Sequence, residues 1–421
     1  MPAHPTTLVL GDTPTTRLYG TRPGQLTPIP DRVRRPRVLS WGMGVDSSAA
    51  LMRWLTDPTS RDWPLTDLTV VLSHTGDEWA STLTTAERHV LPALRHHGVR
   101  LVQLGRRGPS HTQDGVVVLD DSTRPTRLHG QGAYTLAEEM LSAGTIPQSG
   151  GARLCSVHAK GEVLDSAIGH LTQGRPFEHL IGFEANETSR ATKDARHNTP
   201  CRTGSYPLID WGWDRAACTT DLRARTGATF PKSACSYCPF ALAAVRSGSR
   251  EEVLRRFSTD QAPADLALTM ETTATALNPK QGLIGGKRLV DLVRSRPELR
   301  PTLARFHQNL EHREHALYRV RRVLRPRRDD PTKLGNAVRS IQTVATGTRE
   351  AMDATLGEMA RRANQALDTT DPDHQRLWVH HRGPALPTRE QFLVMAPHTA
   401  HDKTGRGFDQ AWAKASQATL W

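Results

Sequence analysis

Apolar and polar positions alternate in a regular way once the chain passes residue 36. Val38-Leu39 is a short apolar strand, residues 42–44 are a turn, and residues 47–55 place Leu51, Met52, Trp54 and Leu55 at helical spacing. Leu68-Thr-Val-Val-Leu72 predicts a second buried strand. A polar turn follows it, then a helix spaced Ala86, Val90, Leu94, in which Pro92 marks a kink or a first turn. Residues 99–104 predict a third strand, and residues 105–130 are polar and read as loop. Helices are expected around 136–141 and 160–171, with a further strand at 179–182. Strands alternating with helices indicate an α/β fold built on a doubly wound parallel sheet.

Beyond Phe240 the pattern turns helical. Leu303, Phe306, Leu310, Leu317, Val320 and Leu324 form one apolar stripe, with Arg313, Arg319, Arg321, Arg322 and Arg325 largely off it. Four segments result: an extended arm over 1–35, rich in Pro, Thr and Arg; an α/β domain over 36–245; a basic, helical region over 246–330; and a C-terminal region over 331–421 to which the pattern assigns no role. The fold expected is therefore α/β followed by a mainly helical C-terminal region.

Composition narrows the function classes. No apolar run approaches the roughly 18 residues that a membrane span needs, and the first 20 residues have neither a basic start nor a sustained apolar stretch. A cytoplasmic protein without a membrane partner is expected. The net charge is +12, from 55 Lys and Arg against 43 Asp and Glu. This suits a polyanionic partner, a nucleotide or a nucleic acid, although a generally Arg-rich composition reads the same way. The five cysteines, 155, 201, 218, 235 and 238, fall within one stretch. That clustering points to a metal centre or reactive thiols rather than a disulfide framework.

Three groups of residues carry candidate chemistry. Ser40-Trp-Gly-Met-Gly-Val-Asp-Ser-Ser48 joins the first strand to the first helix. Gly42 and Gly44 let the backbone turn and approach a ligand, the first N–H groups of the helix face an anion, and Ser47 and Ser48 add hydroxyls. Asp46 can orient the loop or help hold a metal. There is no Gly-Lys-Ser/Thr, so this is not a Walker A loop. Thr75-Gly76-Asp77-Glu78 follows the second strand, at the carboxyl edge where open α/β sheets bind ligands. Cys235-Ser-Tyr-Cys238 is a C-x-x-C that zinc, iron–sulfur and redox chemistry all use. Cys155 precedes it in Arg153-Leu-Cys-Ser-Val-His-Ala-Lys160.

Taken together and in order, these motifs resemble the phosphoadenosine phosphosulfate (PAPS) reductase-like family of PP-loop ATP pyrophosphatases, the adenine nucleotide alpha hydrolase-like superfamily. The first motif resembles the family's Ser-Phe-Gly-x-Asp-Ser loop with one or two extra residues, and the second resembles its Thr-Gly-x-Glu. Glu184-Ala-Asn-Glu187-Thr-Ser-Arg190 and Tyr206-Pro-Leu-Ile-Asp-Trp211 resemble two further family stretches. The likeness spans about residues 37–245. It implies nucleotide binding by Ser40, Gly42, Gly44, Asp46, Ser47, Ser48, Thr75, Gly76 and Glu78, and catalysis by Asp46, Ser47 and Arg190. Lys160, Glu187 and Arg190 are implied on the substrate.

The cofactors implied are ATP, Mg²⁺ and a 4Fe–4S cluster on Cys155, Cys235, Cys238 and Cys218. Ser156 stands where the family has a second cysteine; either three cysteines hold three irons and leave the fourth open, or Cys201 or Cys218 completes the set. Zinc on three cysteines and His158 is the alternative. The activity implied is adenylation of an acceptor with pyrophosphate release, for sulfur transfer from a donor protein, with nucleic acid a candidate acceptor. Sulfonucleotide reduction and a non-catalytic nucleic-acid-binding subunit are the other readings. Reduction needs a thiol that forms an exchangeable sulfur bond, and no cysteine follows Cys238.

Overall fold

The computed structural model describes residues 26–147, 153–245 and 248–417, together with the backbone of two short strands, β1 (Thr7–Leu8) and β2 (Leu18–Gly20). Of the arm expected over 1–35, the rest of residues 1–25 lies outside the described residues. The chain divides into two compact units, one formed by residues up to 136 and 152–236, the other by 137–151 and 237 onwards. The division falls inside the C-x-x-C, between Ser236 and Tyr237.

The first unit runs β3 (Arg37–Ser40), α1 (Val45–Thr56), β4 (Leu68–His74), α2 (Ala80–His89), α3 (Leu91–His97), β5 (Arg100–Arg106) and β6 (Val116–Ser122). The chain then crosses into the second unit for α4 (Leu136–Ser142) and returns to the first at α5 (Leu154–Ser156), a π-helical turn at Val157–Gly161 and α6 (Glu162–Thr172). The first unit ends with β7 (Phe177–Ile181), α7 (Thr188–Asp194), β8 (Arg202–Ser205), α8 (Pro207–Asp210) and α9 (Arg215–Thr226). The sheet order is β1-β2-β6-β5-β4-β3-β7-β8, with β5, β4, β3, β7 and β8 all parallel. Pro92 stands in the first turn of α3, which is where the helix over 80–97 breaks. The stretch 105–130, expected as loop, contains β6. Its Val-Val-Val-Leu run pairs antiparallel with β5 and buries three valines.

Strand side chains alternate between two cores. Leu39, Val70, Leu72 and Leu101 face α1, α3 and α9 on one side, with Leu51, Leu55, Leu94 and Leu222. Val38, Val71, Val102 and Leu104 face α6 on the other, with Val163, Ala167 and Leu171. Residues 26–33 carry no regular structure but bury Leu26, Ile29 and Val33 in that second core. Trp54 meets Trp63 and Trp211 edge-on at 5.5 and 5.9 Å, and the Arg53 guanidinium lies 4.3 and 4.4 Å from Trp211 and Trp213. This cluster uses four of the nine tryptophans to fix α1 against the segment that leads into α9.

The second unit corrects the expected mainly helical C-terminal region. Helices α10 (Pro239–Ala243), α11 (Ser249–Thr259), α12 (Gln261–Leu277), α13 (Leu289–Arg294) and α14 (Arg300–His312) come first. An antiparallel sheet of β9 (His315–Pro326), β10 (Leu334–Gly347), β11 (Arg376–His380), β12 (Thr388–Pro397) and β13 (Lys403–Thr404) follows, in the order β11-β12-β9-β10-β13. Helix α15 (Arg349–Arg362) lies between β10 and β11, and α16 (Phe408–Gln417) closes the described chain. The apolar stripe from Leu303 to Leu324 is thus two elements. Leu303, Phe306 and Leu310 belong to α14, whereas Leu317, Val320 and Leu324 lie on β9.

Helical spacing misled because β9 is buried on both faces, so its apolar residues fit either period. Tyr318 and Val320 pack beneath α12, while Leu317 packs against α15. The expected basic helical surface does not form. Arg322 is buried and pairs with Glu390 at 2.6 Å, and Arg321 lies over the rings of Phe408 and Trp412. A buried ion pair costs much to break and little to replace as a pair. Glu390→Ala is therefore expected to lower stability by about 3–5 kcal/mol, while Arg322→Met with Glu390→Leu recovers most of the loss. Denaturant titration of both variants checks this.

Candidate functional site

In the parallel order β5-β4-β3-β7-β8, the connection leaving β3 runs toward β4 and the one leaving β7 runs toward β8. Such a reversal opens a crevice at the carboxyl edge of the sheet. The chain from β3 into α1 crosses that edge. Gly44 is the N-cap and provides no side chain to close the first helical turn, which leaves the N–H groups of that turn without a side-chain cap. Trp41 anchors the loop beneath: its backbone N–H donates to the Val71 carbonyl at 2.9 Å, and its Nε1–H donates to Ser48 Oγ at 2.9 Å. Met43 takes φ 57°, a left-handed conformation that a non-glycine residue rarely holds, and buries its side chain.

The glycines here differ in what they permit. A Cβ on Gly44 would meet Ser233 Oγ at 2.6 Å, and one on Gly182 would meet the Ser47 backbone at 2.8 Å. A Cβ on Gly42 would meet nothing within 4 Å. Gly182 is therefore needed for close packing against backbone, Gly44 sits close under the rotatable Ser233 hydroxyl, and Gly42 borders open space.

The hydroxyls of the loop have a common polarity. Ser47 Oγ accepts from the Gly42 N–H at 3.2 Å, Ser48 Oγ accepts from Trp41, and Ser40 Oγ bonds to His179 Nε2 at 2.7 Å. Ser48 is fully buried and supports the loop from inside, whereas Ser40 at the end of β3 is half-buried.

Asp46, in the first turn of α1, is the electrostatic centre. Burial pushes its carboxyl up to about 6, against the pull of Arg215, whose guanidinium lies 2.7 Å from Oδ2. Glu187 and Glu184 raise it further and Arg190 lowers it, so the segment after β7 faces Asp46 across the crevice. Its Oδ1 is buried and has no hydrogen-bond partner. Arg190 pairs with Glu187 at 2.5 Å and stacks over Phe183 at 4.4 Å. Glu184 and Glu187 cap each other's backbone and hold this turn rigid.

On the other flank, Thr75 to Glu78 continue from β4. Glu78 Oε1 accepts from the Thr75 N–H at 3.1 Å, and Gly76 turns the chain at φ 91°. Cys235 pairs with Glu78 as an isolated antiparallel bridge, with its Sγ 3.6 Å from Thr75 Oγ1. Ser73 Oγ donates to the Ala159 carbonyl at 2.8 Å, which ties the π-helical turn to the end of β4. Lys160, on that turn, is near enough for its charge to act on His74. Burial also depresses the His74 imidazole, whose Nε2 bonds to Gln103 at 2.9 Å.

The first unit thus gathers Ser40, Gly42, Gly44, Asp46, Ser47, Thr75, Gly76, Glu78, Lys160, Glu187 and Arg190 along one sheet edge. The cysteines are different. Cys218 is fully buried in the core beside α1, its thiol pushed up to about 12 by burial and by the Asp46 charge. Desolvation of this kind opposes the thiolate that a metal requires. Among the described residues no group of three or more His, Cys, Asp and Glu is gathered so as to hold a metal ion. Cys218, held in that dry core, therefore does not fit the expected four-thiol set. Sequence reading missed His179, Glu184, Arg215 and Ser233, because only the folded sheet brings them to the loop.

Comparisons with protein-family models, with curated proteins and with solved structures return no significant match. Among the described residues no helix is long and apolar enough to cross a membrane.

Two outcomes follow from this geometry. Gly42→Ala is expected to leave stability unchanged or raise it by up to about 1 kcal/mol. Thermal melting of the two proteins side by side checks this. Asp46 should oppose stability where it is charged. Its pKa is about 6 in the fold against an ordinary 3.8, so the native state holds the proton more tightly and loses stability as pH rises from 3.8 through 6. Asp46→Asn is therefore expected to match wild type near pH 4 and to exceed it at pH 8 by on the order of 1–3 kcal/mol, measured by denaturation at both pH values.

Proposed function

We propose that the first unit binds ATP and activates an acceptor by adenylation with release of pyrophosphate, on a doubly wound sheet of the adenine nucleotide alpha hydrolase-like kind. The observation that carries this reading is the loop over residues 42–48. Backbone N–H groups, hydroxyls and an open glycine face are collected at a helix N-terminus in the crevice of a parallel sheet. Such a cradle binds phosphates without a basic side chain in the loop itself.

Asp46 fits a divalent cation. Its Oδ1 is buried and unpartnered, and Mg²⁺ is commonly held by one or two carboxylates plus substrate phosphates. Bound there, Mg²⁺ would neutralise charge on the phosphates. The chain's own residues do the rest. The loop holds the leaving pyrophosphate, and Arg190 and Lys160 flank the acceptor side. The buried setting of Asp46 strengthens each charge interaction. An acceptor oxygen attacks the α-phosphorus, the bond to the bridging oxygen breaks, and pyrophosphate leaves with that electron pair.

Sulfur transfer to the adenylated acceptor is supported by Cys235, whose thiol lies beside Thr75 at the edge of the crevice. The nucleic-acid reading draws no support from Arg321 and Arg322, which are engaged inside the second unit.

Incubation with Mg²⁺ and ATP labelled at the α-phosphate is expected to yield AMP and pyrophosphate, water taking the place of the acceptor oxygen, and Asp46→Ala should slow this roughly 100-fold or more. Products limited to ADP and phosphate would place cleavage at the wrong bond and overturn the proposal.

A further inference from the structure

His179 lies on β7, 7% exposed, with no role in the chemistry described so far. Its two ring nitrogens have different partners. Arg202 Nε donates to Nδ1 at 3.1 Å, and Nε2 lies 2.7 Å from Ser40 Oγ. A guanidinium is always protonated and only donates. Nδ1 must therefore be the acceptor, and the ring proton resides on Nε2. His179 then donates to Ser40, and Ser40 Oγ accepts.

The direction of that bond is held from outside. Arg202 is fixed by Asp194 at 2.7 Å and by the side-chain Oδ1 of Asn198 at 3.0 Å, and Asp194 also accepts from the Tyr206 hydroxyl at 2.8 Å. The chain of bonds runs Tyr206, Asp194, Arg202, His179, Ser40, from α7 and β8 through β7 to the end of β3. Burial beside the Arg202 charge pushes the imidazole down to about 4, so the ring stays neutral and keeps this tautomer. A hydroxyl that accepts from a fixed donor has its own hydrogen free to give. Ser40 immediately precedes the loop whose Ser47 hydroxyl is polarised in the same sense by the Gly42 N–H.

We propose that His179 is a positioning residue: by donating to Ser40 it turns the Ser40 hydroxyl into a hydrogen-bond donor for the phosphate held on the 42–48 loop. This rests on the nucleotide reading above. The imidazole touches no substrate, and its effect reaches the anion through one hydroxyl. Losing that polarity should cost about one hydrogen bond, or roughly a three- to tenfold loss of affinity.

The test is a double-mutant cycle on ATP and pyrophosphate affinity by calorimetry, with melting temperatures recorded in parallel. His179→Leu and Ser40→Ala are each expected to weaken binding roughly three- to tenfold, and the double variant no further. His179→Gln should restore binding, because its amide can donate to Ser40 while its carbonyl oxygen accepts from Arg202. If His179→Leu fails to fold, His179→Asn takes its place, its amide being too short to span both partners. Wild-type affinity in the Leu or Asn variant, losses that multiply in the double variant, or no rescue by Gln would each overturn the assignment while leaving the nucleotide reading standing. A wild-type protein that binds neither ATP nor pyrophosphate would overturn both.

Discussion

The first turn of α1 rests on the end of β7 with no side chain between them. Gly182 makes this contact possible, since any Cβ there would collide with the Ser47 backbone at 2.8 Å. The consequences spread outward from that approach. It sets the loop over residues 42–48 directly on the sheet edge, and it turns Asp46 toward the capped turn of Glu184 and Glu187. It also leaves Gly42 facing open space. Two further close contacts, Gly44 on Ser233 and Trp41 on Ser48, hold the loop from the side and from below.

Charge in this crevice is arranged at some cost to stability. Asp46 is buried next to two other carboxylates and is balanced by Arg215, whose side chain is itself half exposed. A carboxyl raised to about 6 is a poor contributor to a folded protein at neutral pH, and groups perturbed in this way collect at functional sites. The neighbouring serines do the opposite. The oxygens of Ser40 and Ser47 accept from fixed donors, so their protons remain for an anion without any change in net charge. An anion and a divalent cation bound together would resolve both features at once, which is why the nucleotide reading fits this edge better than a single-ion site.

The second unit handles its charges differently. Arginines that would be solvated on a helix are drawn into the sheet, where Arg322 meets Glu390 and Arg321 covers Phe408 and Trp412. Glu271 on α12 accepts three backbone N–H groups, from Leu283, Leu289 and Val290, and so ties the loop after α12 to its helix. These are internal fastenings. The positive net charge of the chain therefore says less about a nucleic-acid surface than the count of arginines suggests.

Local pattern was enough to place β3, α1, β4, α3, β5, α6 and β7 of the first unit, but not β6, which lies in a stretch that reads as polar loop. Val38-Leu39, the Leu68–Leu72 run and the break at Pro92 each depend on neighbours a few residues away, and period-2 or period-3.6 burial fixes them. The loop at 42–48 was legible for the same reason, because glycines and serines between a strand and a helix act through their own backbone. Three further things could not be read locally. Strand β9 buries both faces, so helix and strand predict the same apolar positions, and only pairing with β10 and β12, residues distant in sequence, selects the strand. Cys218 looks like any other thiol in the sequence, but helix α9 carries it into a dry core. His179 and Arg202 acquire meaning only when parallel pairing of β3, β7 and β8 lines them up behind Ser40. Local propensity decides what each segment becomes, whereas long-range strand pairing decides which side chains share a dielectric, and hence which of them can do chemistry together.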